Sequence, residues 1–277
     1  MSSIPAIISP ATITTAPVAP AESLPSSLEG ILAPLHQAAH QSSSLVASRF
    51  PFVSRGLELE IPKFLLLGQR GGGQPIRLGL FAGFEAGNLG TVQVLSSLLL
   101  HLEASPALSR DFAVIGFPVV NAHGFTSDAV PLAEFESRFA RDSAAPDVQF
   151  FKTELNKWRF DGLLSFRTDP SARGFHAAVR SAIIAAEVVE PALAAGAVSL
   201  PLATQAVKVR PDDRFARTAD YAHGRLSPPA DIRPYPFEIE LFAPRATITE
   251  QHIDGLFVVL TEILRLYRAF IAHGQDL

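Results

Sequence analysis

The chain has no cysteine, which excludes disulfides, thiolate metal sites and cysteine nucleophiles. Any metal would need His, carboxylate or amide ligands. Charge is scarce as well: charged residues are 18% of the 277, and 23 Lys+Arg against 27 Asp+Glu leave a formal net charge of -4. A balance of that sign exerts no long-range pull on a polyanion, so nucleic acid is not an expected partner. No Lys or Arg precedes Arg49, and Pro5, Pro10, Pro17, Pro20 and Pro25 break the apolar start. That pattern excludes a secretory signal and reads as a flexible Pro/Ala-rich tail over residues 1–25. The longest apolar region, Ala182 to Val207, is interrupted by Glu187, Glu190, Pro191 and Pro201, too short an unbroken run for a bilayer. A soluble protein with no membrane partner follows, with the cytoplasm as its default location. No Gly-x-Ser-x-Gly elbow is present, so a serine hydrolase of that type is not expected.

What the chain does have is apolar residues, 48% of the total, enough for a large core. Beyond about residue 26 their period alternates between two and 3.6, as strands exchange with helices. Residues 26–47 predict a helix, weakened by Gly30 and Pro34. Segments 57–68 and 76–84 predict strands joined across the Gly71-Gly72-Gly73 turn, which lacks the Lys-Ser/Thr of a phosphate loop. A buried helix over 91–103 and a strand over 112–120 come next. Then follows a polar stretch, 121–147, read as a long irregular loop of the kind that is usually functional. Predicted next are a helix over 146–158, a strand over 161–167 and a helix over 174–189. Residues 190–235 give no clear pattern. A strand over 236–242 and a final helix opened by a Thr247-x-x-Glu250 capping box close the chain. The predicted fold is α/β: residues 26–277 as a single domain with a mixed, mostly buried central sheet flanked by helices.

At GLFAGFEAGNLG (79–90) the sequence resembles the zinc metallocarboxypeptidase superfamily, of the carboxypeptidase A and succinylglutamate desuccinylase type. There the strand end reads G-L-F-A-G-I-H-G-D-E-P-A-G. Further segments agree in order: FPVVNAHGF (117–125), SRFARDSAAPDV (137–148), FDGLLSFRTDPSARGF (160–175) and PFEIELFAP (236–244). The resemblance implies a zinc held by a His and a Glu from the first segment and a second His from the fourth, with a catalytic Glu near the end.

Residue by residue, those positions are altered. The resemblance puts Glu85 at the first His position, Asn88 at the Glu position, Arg167 at the second His position and, aligned on Pro244, Phe242 at the general base. A shift of two would bring Glu240 there instead. Arg167 is permanently protonated and has no lone pair for a metal. The family's Asn-Arg pair, which grips a substrate carboxylate, falls on Ser137 and Arg138; an Arg fork suits a carboxylate, and a plain ion pair with Asp142 or Glu134 is the competing reading. His123 lies in a loop near the expected cleft, in a hydrogen-bonding role, while His36 and His40 read as solvated helix surface.

The sequence therefore predicts a degenerate member of the superfamily. It would lack metal and cofactor and serve as a binding or regulatory module for a peptide or a carboxylate-bearing ligand. The alternative is an active zinc carboxypeptidase or N-acyl amino acid hydrolase with ligands recruited elsewhere, such as His123 and His176. If the substitutions compensate each other, Glu85 and Arg167 form a direct ion pair, with Asn88 within hydrogen-bonding reach.

Overall fold

Alternation along the strands sorts the sheet into two faces, and each face recruits its own helices. The computed structural model describes residues 26–72, 74–127, 129–140, 143–209, 237–244 and 248–274. The strands are β1 (Leu45–Ser54), β2 (Leu57–Leu67), β3 (Ile76–Phe81), β4 (Phe112–Phe117), β5 (Gly162–Asp169), β6 (Phe175–Val179), β7 (Leu202–Val209) and β8 (Phe237–Pro244). They form one eight-stranded mixed sheet in the order β1-β2-β4-β3-β5-β8-β6-β7. The inner strands β4, β3, β5 and β8 run parallel, while β2 and β6 join them antiparallel.

Ile76, Leu78, Leu80, Val114, Leu164, Phe166, Ile239 and Leu241 fill the core on one face. Helices α2 (Leu89–Ala104) and α8 (Glu250–Gly274) cover it. Residues of opposite parity, Phe81, Ile115, Phe117 and Leu163, belong to a second core on the other face, beneath α5 (Pro146–Trp158). Ser165 and Arg167 share the parity of Leu163, and Glu240 and Phe242 lie beside them in the β5–β8 register. The second face thus turns polar toward the C-terminal ends of these strands, where ligands bind in open α/β sheets.

The structure revises several sequence expectations. The first helix, α1 (Ser26–Gln41), stops short of 47 and the chain then enters β1, an edge strand whose Pro51 and polar residues mask its period. Strands β2 and β3 flank β4 and do not pair with each other. The 121–147 stretch is largely ordered into a 3₁₀ turn (Ala122–Phe125) and helix α4 (Leu132–Ala140). Residues 174–189 are not one helix. They contain β6, then α6 (Ala182–Ile184) and a π-helical turn (Ala185–Val189) leading into α7 (Glu190–Gly196). Ser181 marks the switch by accepting a hydrogen bond from Ile184 N at 3.3 Å. A four-residue helix, α3 (Pro106–Ser109), precedes β4. The tail at 1–25, Thr247 of the capping box, and residues 210–235 lie outside the described residues. Among the described residues no helix is long and apolar enough to cross a membrane.

Candidate functional site

The turn that follows β3 is shaped by close backbone packing. Gly83 has φ +67°, and a Cβ there would stand 2.6 Å from Pro118 O, so only glycine fits. Asn121 then ties the neighbouring loops together. Its amide donates to Phe84 O and to Val130 O, each at 3.1 Å, and its side-chain oxygen accepts from Gly124 N at 3.2 Å. These bonds hold Glu85 at the mouth of the second sheet face, opposite the end of β5.

Arg167 occupies that position and faces three carboxylates. Its Nε donates to Glu85 Oε1 at 3.0 Å, its Nη1 to Glu240 Oε1 at 3.1 Å and its Nη2 to Glu136 Oε1 at 3.0 Å. The guanidinium also lies 4.7 Å from the centroid of the Phe84 ring, a cation–π contact strengthened by burial. The Arg167 side chain is 10% exposed, against 15% for Glu85, 14% for Glu136 and 7% for Glu240. Charges so far removed from water persist only when paired and hydrogen-bonded.

The predicted Glu85–Arg167 pair is present, through a single hydrogen bond because the other two edges of the fork are engaged elsewhere. Asn88 does not join it. Its side chain caps α2 by accepting from Gly90 N at 3.0 Å. Phe242 is half-buried and stacks on His176, with ring centroids 4.8 Å apart and planes 9° from parallel. The carboxylate that β8 offers to the site is Glu240, two residues earlier on the same face. Glu136 had no counterpart in the sequence reading; the one available signal was its place beside Ser137 and Arg138 in a segment already suspected of lining the cleft.

Arg138 and its neighbours form a second, adjacent cluster. Arg138 Nη1 lies 3.1 Å from Asp147 Oδ2, so its acid partner comes from α5; Asp142 lies outside the described residues, and Glu134 pairs with Arg55 instead. Nε and Nη2 of Arg138 are buried without a hydrogen-bond partner. The Ser137 hydroxyl donates to Glu134 O at 2.8 Å within its own helix, so it takes no part. His123, in the 3₁₀ turn, is 1% exposed, and neither ring nitrogen has a hydrogen-bond partner. Burial, followed by the charge of Arg138, pushes its pKa below the usual value. The expected hydrogen-bonding role for His123 is therefore corrected, since its ring instead meets Phe52 edge-on at 6.1 Å.

Two other histidines of the described residues pack against neighbouring groups. His36 sits against Phe64 and within 3.4 Å of Arg49 Nη2, and His176 Nε2 lies 3.6 Å from Asp169 Oδ2. Among the described residues no group of three or more His, Asp or Glu is placed to hold a metal ion. At the four altered positions the donor set does not fit zinc: a guanidinium stands in the middle, and the Asn88 oxygen is turned to a helix end. A cavity of about 320 Å³ lies beside this turn, lined in part by Ala86, Gly87, Leu89, Gly124 and Phe125.

No family model and no curated protein sequence matches the chain. Solved structures do. A metallo-carboxypeptidase from Burkholderia cenocepacia superposes with a TM-score of 0.63 at 12% identity, over 87% of this chain and 68% of that one. A candidate metallopeptidase from Shewanella baltica OS155 gives 0.62 at 14% identity, over 87% and 93%. An aspartoacylase family protein from Mesorhizobium loti gives 0.52 at 11% identity, over 80% and 68%. Identities this low speak for architecture alone, and what they establish is that this chain has the α/β fold of the metallo-carboxypeptidases.

Proposed function

We propose that the chain is a carboxypeptidase-fold protein that has given up zinc-dependent hydrolysis and acts as a binding or regulatory module for a peptide or a carboxylate-bearing ligand. One observation carries this reading: Arg167, a fixed cation, draws Glu85, Glu136 and Glu240 onto its three edges. A hydrolytic zinc site needs about three competent ligands and a position for water. At the corresponding positions here, the cation is supplied by the protein itself and the surrounding anions are spent on it. A guanidinium has no acidity to lend to water near neutral pH, so the cluster offers no activated nucleophile. Its donors have the geometry that recognises carboxylates, and three glutamates already occupy them.

The test is elemental analysis of purified protein together with assays on C-terminally varied peptides and N-acyl amino acids. The expected outcome is no stoichiometric zinc and no release of product. One equivalent of zinc with turnover would establish the hydrolase reading instead.

A further inference from the structure

The three carboxylates on Arg167 are not equally fixed. Glu240 is set within β8, between β5 and β6. Glu85 belongs to the turn that Gly83 and Asn121 lock in place. Glu136 comes instead from α4, a nine-residue helix that buries Phe135. That helix is fastened by ion pairs: Glu134 with Arg55, Arg138 with Asp147, and Glu136 with Arg167.

We propose that the Nη2 edge of Arg167 is a carboxylate-binding site and that Glu136 is a tethered occupant which an external carboxylate displaces. Exchanging one carboxylate for another leaves the charge and the hydrogen bonding of Arg167 unchanged. The cost of opening therefore falls on the attachments of α4 alone. Those attachments are the fully buried Phe135, the Arg138–Asp147 pair and the Arg55–Glu134 pair; the last is solvent-exposed, with side chains 50% and 43% accessible, so it adds little. A tethered competitor of this kind acts at an effective concentration of roughly millimolar, which weakens the apparent affinity for a free ligand without abolishing it. The proposal rests on the carboxylate-binding reading above, and its test is separable from that reading because it uses neither zinc nor turnover.

The experiment is calorimetric titration with succinate, with succinamide as the uncharged control. Glu136→Ala is expected to bind succinate about 10-fold or more tightly than the wild type, since the binding-competent fraction rises. Glu136→Gln serves as a second variant that keeps the side-chain volume and should show a gain in the same direction. Arg167→Lys in the Glu136→Ala background keeps the charge, removes the fork and should erase most of the gain. In the wild type, saturating succinate should speed amide exchange in α4 as the helix is displaced. Unchanged affinity in both folded Glu136 variants would overturn the proposal. So would a gain that survives Arg167→Lys, or one removed by Arg138→Gln instead. Slower or unaltered exchange in α4 with succinate bound would also count against it.

Discussion

Arg167 of β5, which is buried, and Arg138 of α4, which is partly buried, are treated differently by their surroundings. Arg167 has a carboxylate on each edge. Arg138 has one, Asp147, while its Nε and Nη2 are buried and unbonded. The contrast follows from what each position must neutralise. Carboxylates from a strand, a turn and a helix converge where Arg167 stands, and they demand a cation there. Asp147 has support of its own, because it lies in the first turn of α5 and accepts from Val148 N at 3.0 Å, where a helix N-terminus favours negative charge.

Removing each cation should break this contrast most sharply. Arg167→Gln leaves three carboxylates without their shared partner and is expected to cost roughly 3 to 5 kcal/mol in urea unfolding. Arg138→Gln should cost less, about 1 to 2 kcal/mol, since Asp147 keeps its backbone bond. Equal losses would remove the distinction between the two sites.

A smaller effect concerns His123, which stands near Arg138 and Arg55 on one side of the charge balance and Asp147 and Glu134 on the other. Its pKa in the folded state is lowered, by burial first and by Arg138 second, so the unfolded chain binds the proton more readily. The stability this confers is complete above the unfolded value of about 6.5 and declines as pH falls from there toward the lowered folded value. The slope approaches about 1.4 kcal/mol per pH unit at most. His123→Phe should flatten that part of the stability profile between pH 7 and 5. An unchanged profile would assign the acid sensitivity to the carboxylates.

The sequence made much of the architecture legible wherever burial imposed a single period. The long helices α2, α5 and α8 and the inner strands β3, β4, β5 and β8 are of this kind. Strand β6 was hidden because its five residues, FHAAV, run into an alanine-rich segment whose composition suits a helix. Edge strand β1 carries Pro51 and polar residues on an open side, so no alternation marks it. At the site, Glu85 and Arg167 could be paired in advance because the family resemblance puts opposite charges at two positions expected to converge on one metal. Glu136 could not, since its contact depends on how α4 folds back across the sheet, a long-range placement that local pattern does not encode. Glu240 and Phe242 share a face of β8, so alternation alone could not choose between them; the length of the Arg167 side chain, reaching back along the strand, decided for Glu240.

On the proposed function, Arg167 stands where the metallo-carboxypeptidase fold would hold a metal. The most direct test is a zinc titration of the wild type beside the variant Glu85→His, Asn88→Glu, Arg167→His and Phe242→Glu, both monitored with a competing chelator. The account predicts one equivalent of zinc held by the variant and none by the wild type. Stoichiometric zinc in the wild type, or a folded variant that takes up none, would contradict it.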